Sequence, residues 1–79
     1  DLIDHIIKSI ALLNQVISID PALGAGFRIG HSYFSNPPVN AGLKWFNEII
    51  ENEIAPLLEE YWFDNPKQVA SQLQMLKAV

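Results

Sequence analysis

The chain has 79 residues, a formal net charge of −4 and no cysteine. This length allows one small domain and excludes most complete enzymes, and the acidic balance argues against a nucleic-acid-binding surface, which is normally basic. Without cysteine, neither a disulfide framework nor a thiolate metal site can form. Apolar residues make up 49% of the chain and charged residues 18%, against a usual charged share of about 25%. This excess predicts either a compact aliphatic core or a surface that a missing partner covers.

Apolar residues at helical spacing predict a first helix over residues 2–18, which ends at Asp20-Pro21 because proline disfavours helical geometry in the residue before it. Residues 20–42 then hold all four glycines and three of the five prolines. The bulky apolar groups at the centre of this segment distinguish it from a solvated linker and predict a long ordered loop. Alternating side chains over residues 27–33 favour a short extended segment within it. We expect the loop to pack three aromatic side chains inward: Phe27, Tyr33 and Phe34.

A wide apolar stripe predicts a second helix over residues 43–63. Pro56 falls inside it, and because proline has no amide proton we expect a kink or short break near 52–55. Asn65-Pro66 has the pattern of an N-cap followed by a proline in the first turn, which predicts a third helix over 66–77. The predicted core positions of these two helices are Trp45, Ile49, Ile54, Leu58, Val69, Leu73 and Leu76.

These elements predict an all-α fold, with one domain over residues 1–79 that contains three main helices and a long Gly/Pro-rich loop between the first two. The sequence shows no signal-type segment, and its uninterrupted apolar runs are much shorter than the roughly 18 residues that span a bilayer. We therefore expect a cytoplasmic protein that has no contact with a membrane.

The candidate functional residues are Arg28, His31 and Ser32, which share the glycine-rich loop. Arg28 is the only arginine in the chain. Alternatively, Arg28 forms a salt bridge with the acidic face of the second helix, and His31 bonds a loop carbonyl. The pattern Gly24-x-Gly26 lacks both a third glycine and a following Lys-Ser/Thr, and Ser32 has no G-x-S-x-G context, so neither a phosphate-binding loop nor a hydrolase motif is present. We predict no catalytic residue and no metal site in the chain itself.

Two motifs carry a family resemblance, the second of them in two parts. Residues 26–34 read GFRIGHSYF, and residues 45–50 and 53–64 read WFNEII and EIAPLLEEYWFD. In this order they resemble the G-[FY]-R-I-G-H-S-[FY]-F and W-[LF]-N-E-I … I-A-P-L-L-E-E-Y-[WF]-F-D motifs near the C-terminus of the McrB family, the AAA+ subunits of 5-methylcytosine-specific restriction systems. Leu13-Asn14 also fits, so the resemblance spans roughly residues 13–66.

The resemblance implies that the chain is the C-terminal helical lid of an AAA+ module, without its nucleotide-binding core or methyl-DNA-reading domain. It implies a parent subunit that hydrolyses GTP, or ATP in some relatives, with Mg²⁺, assembles as a homo-oligomeric ring and drives an McrC-like nuclease subunit. The lid would contact the rest of its own AAA+ module and neighbouring subunits, and DNA only through other parts of the parent. The fragment alone would bind no cofactor and catalyse no reaction.

The resemblance also implies roles for the three candidate residues. AAA+ lids commonly supply a sensor 2 group to the nucleotide, and a fixed guanidinium stabilises the charge that develops on a γ-phosphate in transfer. Arg28 would then act on the phosphates, with His31 and Ser32 at the base or ribose. The alternative function is a stand-alone helical module that binds a protein partner through an exposed apolar stripe.

Overall fold

The computed structural model describes residues 2–77, with the exception of the side chain of His31. Within these residues the fold is all-helical and has no strand, so the predicted fold class is confirmed. The α-helices are α1 (Leu2–Ile19), α2 (Leu43–Ile49), α3 (Ala55–Tyr61) and α4 (Pro66–Lys77). The chain divides into two compact units, Asp1–Gly30 and His31–Val79. The assignment of a single domain therefore stays a prediction, and each unit is described by itself.

In the first unit, α1 buries a stripe of aliphatic side chains at helical spacing: Ile6, Ile10, Leu13 and Ile17. The helix ends where Asp20-Pro21 predicted. The Asp20 carboxylate accepts the backbone N–H of Ala22 at 2.8 Å, and the carbonyl of Ile17 accepts the N–H of Gly24 at 3.2 Å. The first bond stabilises the turn that follows α1, and the second pairs a carbonyl in the last turn of the helix, where carbonyls lack helical partners.

The helix α1 is also long and apolar enough, at 18 residues, to cross a membrane by length and composition alone. The sequence prediction concerned uninterrupted apolar runs, whereas this measure averages hydropathy over the whole helix and includes its charged residues. The indication is weak, since the core helix of a soluble protein passes the same test. A signal sequence near the N-terminus passes it as well, and 22% of α1 is buried in the described structure.

In the second unit, the predicted second helix consists of three consecutive segments: α2, a π-helical segment (Ile50–Ile54) and α3. The backbone N–H of Ala55 donates to the carbonyl of Ile50, five residues back, and Pro56 lies in the first turn of α3. Proline lacks a donor and crowds the carbonyl four residues before it. A widened π-helical turn next to Pro56 accommodates both effects without a break. The structure therefore has four α-helices rather than the three main helices predicted.

The core of this unit is a line of side chains spaced by four residues: Phe46, Ile50, Ile54, Leu58 and Trp62. In an ideal α-helix this spacing advances by about 40° at each step, so the line would wind around the helix. The π-helical segment takes more residues per turn and brings the later positions back toward one face. The predicted burial of Ile54 and Leu58 is confirmed, whereas Trp45 and Ile49 lie beside this line and are only half-buried.

The helix α4 begins where the sequence predicts, at Pro66, and continues to the last described residue, Lys77. The side-chain oxygen of Asn65 accepts the backbone N–H of Gln68 at 3.3 Å, which is the expected N-cap bond. The buried side chains of α4 are Val69, Gln72 and Leu76. Leu73, which was predicted to be core, is half-buried.

The loop between α1 and α2 contains two 3₁₀ helices, Ala25–Phe27 and His31–Phe34, rather than the short extended segment predicted. An extended segment needs a neighbouring strand for its backbone bonds, and the described chain has none. Phe27 is 44% exposed, so its predicted burial is wrong, whereas Ile29 is only 4% exposed. The side chains of Tyr33 and Phe34 are half-buried.

Phe34 packs its ring against two aromatic side chains of α2. Its ring centre lies 6.2 Å from that of Trp45 in an edge-to-face arrangement, with 78° between the ring planes. The centre of the Phe46 ring lies 5.6 Å away and is tilted by 33°. Such pairs add roughly 0.5–1.5 kcal/mol beyond the burial of their area, so they fix the second 3₁₀ helix against α2.

Replacing Leu58 with alanine is expected to lower the free energy of unfolding by about 2–5 kcal/mol, because the side chain is fully buried and its truncation leaves a cavity. Leu43→Ala is the matched control, since Leu43 is 45% exposed on α2, and it should cost no more than about 0.5 kcal/mol. Urea denaturation followed by tryptophan fluorescence measures both. Equal midpoints for the two variants would contradict the assignment of the core.

Candidate functional site

Arg28 directly follows the first 3₁₀ helix and has an exposed side chain. Its backbone N–H and its Nε–H both donate to the carbonyl of Ala25, at 3.3 and 3.0 Å. The bond from Nε holds the side chain back against the loop. Among the described residues of the first unit, its two terminal nitrogens have no hydrogen-bond partner. These two NH₂ groups form one side of the planar guanidinium, in the geometry that binds a phosphate or a carboxylate through two parallel bonds.

Asn14, in the middle of α1, holds the residue that follows Arg28. Its side-chain Oδ1 accepts the backbone N–H of Ile29 at 2.6 Å, and its Nδ2 donates to the Ile29 carbonyl at 2.9 Å. One carboxamide thus satisfies both polar backbone groups of a residue whose side chain is buried. The loop is fastened to α1 directly beside Arg28.

Gly24 connects α1 to the segment that carries Arg28. Its backbone has φ 95° and ψ 179°, a region that is almost restricted to glycine. Its N–H bonds the end of α1, and its carbonyl accepts the N–H of Phe27 at 3.1 Å. Any other residue at this position would strain the turn on which the 3₁₀ helix before Arg28 is built.

The structure describes the three predicted site residues to different extents. Arg28 lies in the first unit, whereas His31 and Ser32 open the second, and each is described within its own unit. The side chain of His31 lies outside the described part of the chain. Ser32 is exposed, and its carbonyl accepts the backbone N–H of Ser35 at 3.3 Å.

The sequence motifs assign no functional role to Asn14. Asparagine is a poor helix former because its side chain competes for backbone hydrogen bonds, so an asparagine within a predicted helix is a signal for a tertiary hydrogen bond. This signal would have identified Asn14 as a residue with a partner outside the helix. It would not have identified Ile29 as that partner.

The second unit has a shallow groove of about 520 Å³ at the corner between α3 and α4. Its lining residues are Glu59, Trp62, Phe63, Pro66, Val69, Ala70 and Leu73. Phe63 lies in the turn between the two helices and is 81% exposed. An exposed aromatic ring beside an apolar groove is a common feature of surfaces that contact another protein.

The described residues offer neither a metal site nor an evident general base. Within residues 2–77, leaving aside the His31 side chain, no group of three His, Asp or Glu residues is placed to hold a metal ion. Burial raises the pKa of Tyr61, and the nearby Tyr33 and Glu60 raise it further. The phenol of Tyr61 therefore stays protonated at physiological pH.

Comparison with known proteins assigns the chain to a family. Residues 5–70 match the family model for the alpha-helical lid domain of McrB. The chain belongs to the McrB lid family. It is also 53% identical over 58 residues to the type IV methyl-directed restriction enzyme EcoKMcrB subunit of Escherichia coli (strain K12). That match covers 68% of the chain but only 13% of the relative's length.

The match to the McrB lid confirms the family resemblance given by the two sequence motifs. The matched range contains Gly24, Arg28 and the Asn14–Ile29 pair. The loop over residues 24–29, which Asn14 braces against α1 (the braced loop), is therefore a part of the lid and not an addition to it. It also contains the turn that carries Phe63.

Gly24→Ala is expected to destabilise the first unit by about 1–3 kcal/mol, because alanine rarely adopts a φ of 95°. Gly26→Ala is the matched control, since the φ of Gly26 is not positive and an added Cβ would meet no atom within 4 Å. It should leave the stability unchanged or raise it slightly. Amide hydrogen exchange along α1 measures both variants. Equal protection in the two would show that the conformation of Gly24 is not required.

Proposed function

We propose that this chain is the helical lid of a longer, McrB-like AAA+ subunit, and that the lid closes over a bound nucleotide and helps to assemble a ring of subunits. The observation that carries the proposal is the exposed guanidinium of Arg28 on a braced loop. Membership of the McrB lid family supports it, as does the similarity to a restriction enzyme subunit of which the chain matches only a part.

The chemistry of phosphoryl transfer gives Arg28 its proposed role. Negative charge builds on the transferred phosphoryl group and its leaving oxygen, and a fixed cation at that position lowers the barrier. The bond to Ala25 uses the Nε–H of Arg28, so its two terminal nitrogens would meet two phosphate oxygens at once, which the single ammonium of a lysine does not do. His31 and Ser32, three and four residues further on, are proposed to contact the base or the ribose.

The remaining features of the proposal concern the whole subunit. The nucleotide is GTP, or alternatively ATP, and Mg²⁺ would be held by the nucleotide-binding core of the parent. The lid would contact the rest of its own AAA+ module and neighbouring subunits of a homo-oligomeric ring, which drives an McrC-like nuclease subunit. DNA would be recognised through other parts of the parent, in a cytoplasmic restriction system specific for 5-methylcytosine and without membrane contact.

A second candidate function is that of a stand-alone helical module that binds a protein partner. The groove between α3 and α4, with Phe63 exposed beside it, favours this alternative. The full-length gene distinguishes the two. A Walker A motif and a Walker B carboxylate upstream of this chain would establish the lid, whereas an open reading frame confined to the helical region would favour the stand-alone module.

In the full-length subunit, Arg28→Ala is expected to lower the kcat for GTP by roughly 10-fold or more, which corresponds to about 1.4 kcal/mol of transition-state stabilisation. Arg28→Lys should recover only part of this loss, because a lysine keeps the charge but lacks the two terminal NH₂ groups of the planar guanidinium. Lys8→Ala is the matched control, since it removes another exposed cation from the first unit. Steady-state GTP hydrolysis and sedimentation of the assembled ring measure the effects. Normal turnover together with normal assembly in Arg28→Ala would contradict the proposed role.

The 79-residue chain alone is expected to hydrolyse no GTP, because its sequence contains no phosphate-binding loop. Phosphate release by the purified chain, compared with a heat-treated sample of the same preparation, tests this expectation. Release above the heated control would show that the lid carries catalytic groups of its own.

A further inference from the structure

We propose that Asn14 is a positioning residue for Arg28: its two hydrogen bonds to the Ile29 backbone hold the loop in the conformation from which Arg28 reaches a bound nucleotide. The inference rests on the proposed function of Arg28 and adds a residue that neither the family match nor the sequence motifs assign to any role. It is carried by the geometry of one carboxamide, which pairs with both backbone groups of Ile29, at 2.6 and 2.9 Å.

Arg28 lies between two fixed points of the chain. On the N-terminal side, the carbonyl of Ala25 accepts both its backbone N–H and its Nε–H. On the C-terminal side, Ile29 is tied to α1 through Asn14. The backbone of Arg28 itself is extended, with φ −58° and ψ 145°, and is not held by a helix or a sheet. Its direction therefore depends on these two neighbours.

The two bonds to the Ala25 carbonyl cannot hold the loop by themselves. Both donors belong to Arg28 and the acceptor lies three residues away, so these bonds fix the side chain relative to the first 3₁₀ helix but not relative to α1. The bonds of Asn14 join residues fifteen positions apart and connect the loop to the longest helix of the chain. Without this connection, the loop would be tied to α1 only at its start, through the bond from the Gly24 N–H to the Ile17 carbonyl. The end of the loop could then shift while Arg28 keeps its local bond.

A small shift is enough to affect turnover. A displacement of about 1 Å in a group that positions reacting atoms can reduce the rate by roughly 100-fold. The hydrogen bonds of Asn14 also satisfy backbone groups beside a buried side chain, so a substitution there has a structural effect as well. A test must therefore separate the position of Arg28 from the stability of the lid.

Asn14→Asp makes this separation possible. The carboxylate still accepts the N–H of Ile29, but it places a second oxygen opposite the Ile29 carbonyl and removes the donor. Gln15→Glu is the matched control, because it makes the same amide-to-carboxylate change at the adjacent, exposed position of α1. Both variants are prepared in the full-length subunit, with and without Arg28→Ala, and GTP hydrolysis and thermal unfolding are measured for each.

We expect Asn14→Asp to lower kcat for GTP by roughly 3- to 10-fold and to have no further effect when Arg28 is already alanine, while Gln15→Glu leaves kcat unchanged. An equal loss from Asn14→Asp in both backgrounds would overturn the inference and show a structural role. Unchanged turnover in Asn14→Asp, with a loss in Arg28→Ala, would also overturn it but leave the proposed function intact. If Arg28→Ala leaves turnover unchanged, the proposed function itself is contradicted. If Asn14→Asp unfolds the lid, Asn14→Ser, which keeps one hydroxyl donor and acceptor, takes its place in the same cycle.

Discussion

Backbone N–H and C=O groups without a hydrogen-bond partner in a helix need a partner elsewhere, and this constraint shapes the irregular parts of both units. An unpaired polar group that is buried costs roughly 1–3 kcal/mol, which is a large share of the stability of a small domain. In the first unit, Asn14 supplies a donor and an acceptor for Ile29 from the side of a helix. In the second unit, Pro56 has no donor to offer, and the chain responds with a π-helical turn instead of a break.

The same constraint explains how a loop of glycines and prolines can present one charged side chain in a defined direction. The segment from Gly24 to Ile29 is held at its start by the end of α1, in its middle by the Ala25 carbonyl and at its end by Asn14. A loop ordered in this way loses its conformational entropy on folding. A ligand that binds Arg28 then need not order the loop, which favours binding and alignment.

The apolar excess of the sequence is divided between a core and an exposed surface. Both units bury continuous apolar stripes, yet several large apolar side chains remain outside them, among them Ile3 and Ile7 on α1 and Phe63 at the α3–α4 turn, which are 64%, 50% and 81% exposed. Single exposed apolar residues are ordinary in a folded protein. The chain matches only 13% of the relative's length. In the proposed lid function, the rest of the subunit packs against some of these exposed side chains.

The sequence by itself determined the all-α class, the start of α4 at Pro66 and the family, because caps, prolines and contiguous motifs are local patterns. Tertiary structure decided which members of the apolar stripe are buried: Phe46 is core and Trp45 beside it is only half-buried, because the two side chains point in directions about 100° apart around the helix. It also decided the partner of Asn14. That asparagine meets Ile29 across fifteen positions of sequence, and no periodicity relates the two residues, because the turn between them sets where the loop returns to the helix.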